Sequence, residues 1–217
     1  MEVGTDDSLV LRNVTIENAG RDHSGAITNY DTFSGTAILE RVTIRESQSH
    51  GIHLQDQGTT FSSVTIENSL IERNQWSGIV LAEGAASVTN TRIVDNGGTG
   101  IRADWTGGSL TLSGNRMSGN RYPLQLTTDK LGATSGESID SLLGNTNDSL
   151  IVVCCGNISA PDTLRTSPKL PWRIDNTDLT FVDSTIWKIE AGATIGMTQG
   201  TFFTFDGGAL RADGDTA

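Results

Sequence analysis

The chain repeats itself, and the period decides what it can fold into. Aligning the apolar residue that ends each Asn-x-x-Ile-like segment superimposes Asn13-Val14-Thr15-Ile16 on Arg41-Val42-Thr43-Ile44. Asn68-Ser69-Leu70-Ile71, Asn90-Thr91-Arg92-Ile93 and Gly114-Asn115-Arg116-Met117 follow in the same register. The steps are 28, 27, 22 and 24 residues. A unit this short has no core of its own. It buries its apolar face only by stacking on its neighbours, which makes the chain a solenoid.

Each copy is preceded by a short alternating segment: Leu9-Val10-Leu11, Ala37-Ile38-Leu39, Val64-Thr65-Ile66, Ala86-Ser87-Val88 and Leu110-Thr111-Leu112. The outer two members are apolar in all five, and period two with one apolar face is a strand. A third segment follows each copy: Gly25-Ala26-Ile27, Gly51-Ile52-His53-Leu54, Gly78-Ile79-Val80-Leu81, Gly100-Ile101-Arg102-Ala103 and Pro123-Leu124-Gln125-Leu126. Three strands of about four or five residues, with turns, use up one period and close one coil. No stretch between them carries helical patterning of the needed length. Composition agrees: 25 glycines in 217 residues, an apolar fraction of 35% and only 6% aromatics suit strands and turns.

A polar row, Ser47, Asn74, Asn96 and Asn120, recurs in the turn after the second strand, with Asn18 opening the longer first turn. Inward asparagines on successive coils would bond one another and satisfy buried polar groups. Asparagine also tolerates left-handed turn conformations. Both readings are structural.

The three-strand coil, the inward aliphatic ladders, the Asn row and the recurrent Gly-Ile strand resemble the right-handed parallel β-helix of pectate-lyase-like repeat proteins. The resemblance covers roughly residues 8–126. It implies an all-β fold: a right-handed, single-stranded parallel β-helix with three short strands per coil and about seven or eight coils. Regular coils are expected over 1–126. An irregular insertion with one apolar strand, near 149–155, is expected over 127–171. Further coils follow over 172–217, where the strands around Phe181, Trp187 and Phe203 and the Glu190–Ile195 turn resemble secreted and surface-anchored bacterial β-helix proteins.

Net charge is −11, from 15 basic and 26 acidic residues. Such a chain repels nucleic-acid backbones and anionic membranes, so neither is an expected partner. No run of about 18 apolar residues predicts a membrane span. The only cysteines, Cys154 and Cys155, are adjacent. Neighbours close a disulfide only with strain, so one facing in and one out on a strand is expected.

Enzymes of the resembling group act on polysaccharides in a groove along an outer strand face, and their lyases typically hold calcium on acidic residues beside an Arg or Lys base. The matching acidic row here is Asp31, Asp56, Glu83 and Asp104, one per coil after the third strand. Carboxylates stacked at the strand spacing would raise one another's pKa or bind Ca2+. In an acidic chain they are, more simply, ordinary solvated turns. Thr28, His53, Val80 and Arg102 are the expected outward positions of the third strand. His53 near Asp56 is a candidate base, Arg102 beside Asp104 an ion pair, and His23 and His50 lie in turns with no evident partner. Tyr30, Trp76 and Trp105 are candidate sugar-stacking rings. No catalytic motif matches.

Two functions stay open. One is a non-catalytic, extracellular or cell-surface interaction module within a longer protein with flanking domains, needing no cofactor and offering a rigid acidic surface to a glycan or surface protein. The other is a carbohydrate-active enzyme, a lyase or epimerase, with a Ca2+-assisted acidic groove.

Overall fold

The computed structural model describes residues 8–21, 25–28, 35–54, 61–81, 84–104, 108–153, 157–158, 164–175, 178–182 and 186–212. Every strand ladder among them is parallel, and the strands stack one coil above the next into three long walls of a right-handed β-helix. The first sheet holds Leu9–Arg12, Thr36–Glu40, Phe61–Glu67, Gly84–Thr89 and Ser109–Ser113. The second holds Thr15–Glu17, Thr43–Arg45, Leu70–Glu72, Arg92–Val94 and Arg116–Ser118. The third is longer, with eight strands: Gly25–Thr28, His50–Leu54, Ile79–Leu81, Thr99–Ala103, Tyr122–Leu126, Leu150–Val153, Trp172–Asp175 and Ile195–Met197.

The aligned aliphatics are register partners. Ile16, Ile44, Ile71, Ile93 and Met117 form one column in the second sheet, and Leu11, Leu39, Ile66, Val88 and Leu112 another in the first. Ile44, Ile71, Ile93 and Met117 are wholly buried, and burying each such side chain contributes about 1.5–3 kcal/mol. The columns are what the period encodes: one residue per coil, always inward.

Both corners of the regular coils turn on a single left-handed residue. Asn13, Arg41, Asn68 and Asn90 have φ of 55°, 52°, 51° and 47° at the first corner, and Asn18, Glu46, Arg73 and Asp95 have φ of 54°, 58°, 50° and 57° at the second. Each spends its backbone N–H on a carbonyl of the next coil, as Asn13 does on Glu40 O at 3.1 Å and Asp95 on Ser118 O at 3.0 Å. The residue after it turns inward, and from the second or third coil onward these residues form polar ladders.

At the second corner this ladder is Ser47, Asn74, Asn96, Asn120 and also Asn145, which the period alone does not reveal. Asn74 Nδ2 donates to Asn96 Oδ1 and Asn96 Nδ2 to Asn120 Oδ1, each at 2.9 Å, and Asn120 Nδ2 reaches Asn145 Oδ1 at 3.2 Å. These asparagines are not the left-handed residues; the residues before them are. Asn18 itself occupies the left-handed position, and Ala19 stands where Ser47 stands one coil later. A second ladder at the first corner was not foreseen. Ser69 Oγ accepts from Val42 N–H, Thr91 Oγ1 from Ser69 N–H and Asn115 Oδ1 from Thr91 N–H, and the row ends on Glu137.

The irregular segment is a coil in disguise. Two 3-10 helices, Thr128–Gly136 and Ile139–Leu142, lie on the last strands of the first and second sheets and replace two sides of one coil. Leu131 and Leu142 fill the inward positions. Leu150–Val153 then rejoins the third sheet. The expected single strand of 127–171 is corrected to three, since Asn157–Ile158 and Leu164–Thr166 open two further parallel sheets with Leu179–Val182, Phe203–Asp206, Ile186–Ile189 and Ala209–Ala212. Their core is aromatic: Trp187 lies 5.3 Å from Trp172 and 5.2 Å from Phe181, ring centre to ring centre. Cys154 and Cys155 lie outside the described residues.

Candidate functional site

The third sheet's outward row runs through Thr28, His53, Val80, Arg102 and Gln125 by register, then Ile151 and Arg173. It is not the open platform that alternation predicts. Val80 is 0% exposed and Ile151 6%, although neither belongs to the central core. The concave surface lies instead where these strands begin.

There, consecutive coils stack through their backbones. Trp76 N–H bonds Ser49 O at 3.0 Å, Gly98 N–H bonds Trp76 O at 2.8 Å, and Arg121 N–H bonds Gly98 O at 2.8 Å. The side chains carried by this staircase enclose a cleft of about 320 Å³. His50 and Trp76 form one wall, Gly97 and Gly98 the base, and Arg121 and Tyr122 the other wall, with Arg102 and Gln125 alongside. The base is glycine for a reason of space: a Cβ on Gly98 would lie 2.7 Å from Ser77 N and 2.8 Å from its Oγ.

His50 corrects the expectation of a partnerless turn residue. It opens a third-sheet strand, is 6% exposed, and accepts the Ser77 N–H at Nδ1 at 3.2 Å. Its ring meets His53 at 4.9 Å and the edge of Trp76 at 5.2 Å. Trp76 is thus half-buried against imidazole and not a free-standing indole. Asp56, the expected partner of His53, lies outside the described residues, as do Tyr30, Asp31, Glu83 and Trp105.

Asp104 is the described member of the acidic row, and its setting is not that of an open calcium ligand. Its side chain is 9% exposed, and Oδ2 takes both Arg102 Nε at 2.7 Å and Gln125 Nε2 at 2.9 Å. A guanidinium already neutralises it and would repel a divalent cation. The pair orients Arg102 and Gln125 beside the cleft. Oδ1 is buried and has no hydrogen-bond partner among the described residues. Among the described residues, no group of three or more His, Cys, Asp or Glu side chains is placed to hold a metal ion.

On the other wall, the Arg121 guanidinium sits 5.5 Å above the Tyr122 ring. The Asp175 carboxylate, and after it Tyr122, keep Arg173 charged beyond the ordinary arginine value. The cleft therefore joins Trp76 and Arg102, both singled out in the sequence, to His50, Gln125, Arg121 and Tyr122, which were not. Register carries the missing signal: Tyr122 is the partner of Thr99 and Gln125 of Arg102.

Among the described lining residues the cleft carries two guanidiniums and no carboxylate, in a chain of net charge −11. Three flat rings, of His50, Trp76 and Tyr122, and several amide and hydroxyl groups accompany them. Such a surface suits a polar ligand with a stackable face and a negative group. A family model described as right handed beta helix region matches residues 1–120. No curated protein and no solved structure matches the chain.

Proposed function

The chain belongs to the right-handed β-helix family, and from that premise we propose that it is a non-catalytic interaction module of the extracellular space or cell surface that binds a glycan in the third-sheet cleft. The solenoid acts as a stiff rod, and the cleft is where it recognises its partner. The observation that carries this reading is the cleft's charge: Arg121 lines its exposed wall with no ion pair to a described carboxylate, while Arg102 is held beside it by Asp104. In an acidic chain, that local reversal selects a saccharide bearing an anionic group, with Trp76 and Tyr122 as stacking faces and Gln75 and Gln125 as hydroxyl partners. The ligand is thus held by a basic cleft and not by the acidic surface at large.

Fluorescently tagged protein on a glycan array tests the proposal. Anionic glycans should be retained, and Trp76→Ala or Arg121→Gln should weaken the signal without altering the fold. Retention of neutral glycans alone, or an unchanged signal in both variants, overturns it. The enzymatic alternative draws on the closeness of His50, His53 and Trp76, a base and a ring in one place. Product release from an array-positive polysaccharide, lost on adding a calcium chelator, would favour that reading.

A further inference from the structure

We propose that Asp104 is a positioning residue that makes the Arg102 side of the cleft a neutral subsite for sugar hydroxyls. The inference rests on the cleft being the binding site, and it leaves the ligand's anionic group to Arg121. Two observations carry it: one carboxylate oxygen holds two side chains that line the cleft, and the other holds none. Asp104 Oδ2 accepts from Arg102 Nε at 2.7 Å and from Gln125 Nε2 at 2.9 Å, with the Asp104 side chain 9% exposed. Oδ1 is buried and has no partner among the described residues. A buried acceptor left short is unfavourable, so stability alone does not explain a carboxylate here. What the carboxylate achieves is order in Arg102 and Gln125, both lining the cleft.

An ionised carboxylate only accepts, so it fixes which atoms of its two partners are left for a ligand. Gln125 turns its NH2 group to Asp104, which leaves Oε1 as the end it offers. Arg102 uses Nε, which leaves its two Nη groups as donors. The two residues are register partners on adjacent strands, so donor and acceptor are offered one strand spacing apart, about 4.8 Å. Asp104 also cancels the Arg102 charge, whereas Arg121, over the Tyr122 ring, has no ion pair to a described carboxylate. The cleft is therefore divided. Arg121 attracts an anion, and the Arg102–Gln125 pair presents a neutral donor beside an acceptor. Two hydroxyls of one sugar complete that pattern, because each both donates and accepts. The ligand class is a saccharide that carries its charge at one position and a free diol at another.

Calorimetric titration with two probes of equal charge separates the two sides: sodium glucuronate, and sodium cyclohexanecarboxylate, which has the anion and a ring but no hydroxyls. The wild type should prefer glucuronate by about tenfold, equivalent to about 1.4 kcal/mol, and both affinities should fall with salt. Gln125→Leu removes the acceptor, so the preference should vanish while the salt dependence stays. Asp104→Asn keeps an oxygen for both donors and deletes the charge. Its preference should persist, and the salt dependence of both probes should steepen because Arg102 is no longer neutralised. A merely structural Asp104 would weaken both probes alike in that variant, with no steeper salt dependence. That result, or a preference unchanged in Gln125→Leu, overturns the proposal. The Nε2 hydrogens of Gln125, followed by NMR without ligand, add a readout that needs no probe. One of them should lie downfield in the wild type, on the carboxylate, and move back towards the ordinary amide position in Asp104→Asn. Absence of that shift in the wild type overturns the positioning role. The shift present with neither probe bound supports the role of Asp104 and removes the anionic-saccharide reading instead.

Discussion

Asn96 donates its Nδ2 hydrogen to Asn120 Oδ1 at 2.9 Å, one coil further along the helix axis, and receives the same bond from Asn74 at 2.9 Å. All three side chains are buried, at 2%, 0% and 2% exposure for Asn96, Asn120 and Asn74. Asn96 also donates to Ile71 O and Val94 O at 3.2 Å and accepts from Asn74 N–H at 3.1 Å. It thus ties three coils together at a point where hydrophobic columns give no lateral specificity. Asn96→Ala leaves the Asn74 donors and two carbonyls short of partners. At about 1–3 kcal/mol per unsatisfied buried group, a loss of about 2–5 kcal/mol is expected in urea denaturation. A loss under about 1 kcal/mol would show that the ladder merely accompanies the stacking.

The other ladder ends on a carboxylate, which gives it a pH dependence. Glu137 accepts Asn115 N–H at 3.1 Å and Asn115 Nδ2 at 2.6 Å. Burial is the largest influence on its acidity and raises its pKa against the opposing bonds from Asn115 and Ser141. A carboxyl whose pKa is higher folded than unfolded stabilises the fold below its unfolded value, about 4.3, and this contribution disappears as pH rises through the native value. Glu137→Gln keeps an acceptor oxygen and removes the titration. The melting temperature of the variant relative to wild type should therefore rise between pH 4 and pH 7. An equal difference at both pH values would remove Glu137 as the cause.

The winding was legible because the inward positions of the first five coils are nearly all aliphatic: Ile44 above Ile71 is readable from spacing alone. The 3-10 coil was not, since Leu131 and Leu142 occupy inward positions with helical spacing between them and no strand alternation. The left-handed corners were hidden for a different reason. Arg41, Glu46 and Arg73 are unusual residues for positive φ, and they adopt it because stacking gives each N–H a partner in the next coil. Trp76 and Arg102 stood out as residue types, whereas His50, Tyr122 and Gln125 belong to the cleft only through register, which emerges once the coils are stacked. Asp104 looked like a metal ligand because its neighbour in space, Gln125, is 21 residues away in sequence.

Gly98 sets the depth of the cleft, and Gly98→Ala tests this directly. The new methyl would press on Ser77 N, on its Oγ at 2.8 Å and on Trp76 C at 2.9 Å, most of it backbone that cannot rotate away. Overpacking of this kind costs about 1–3 kcal/mol. Displacing Ser77 also moves the adjacent indole, so the tryptophan emission of the folded variant should shift relative to wild type. A variant with wild-type stability and emission would mean that the staircase yields more readily than its contacts imply.

The two arginines of the cleft are predicted to fail in different ways. Arg102 is bound to Asp104, which is 9% exposed, so Arg102→Gln removes the charge that neutralises a buried carboxylate and leaves it, among the described residues, the Gln125 amide. That change should lower stability by about 1–3 kcal/mol, because a buried charge loses a charge-assisted partner. Arg121 lies on the exposed wall over the Tyr122 ring, and its loss uncovers no buried charge among the described residues. Arg121→Gln should leave the denaturation midpoint within about 0.5 kcal/mol of wild type, as surface substitutions usually do. It should nevertheless weaken an anionic glycan by about tenfold, the loss of one charge-assisted bond of about 1.5 kcal/mol. Titration calorimetry at low and high salt separates the cases: the wild-type affinity should fall with salt, and the Arg121→Gln affinity should fall less steeply. Equal salt slopes in the two proteins would take Arg121 out of the binding surface.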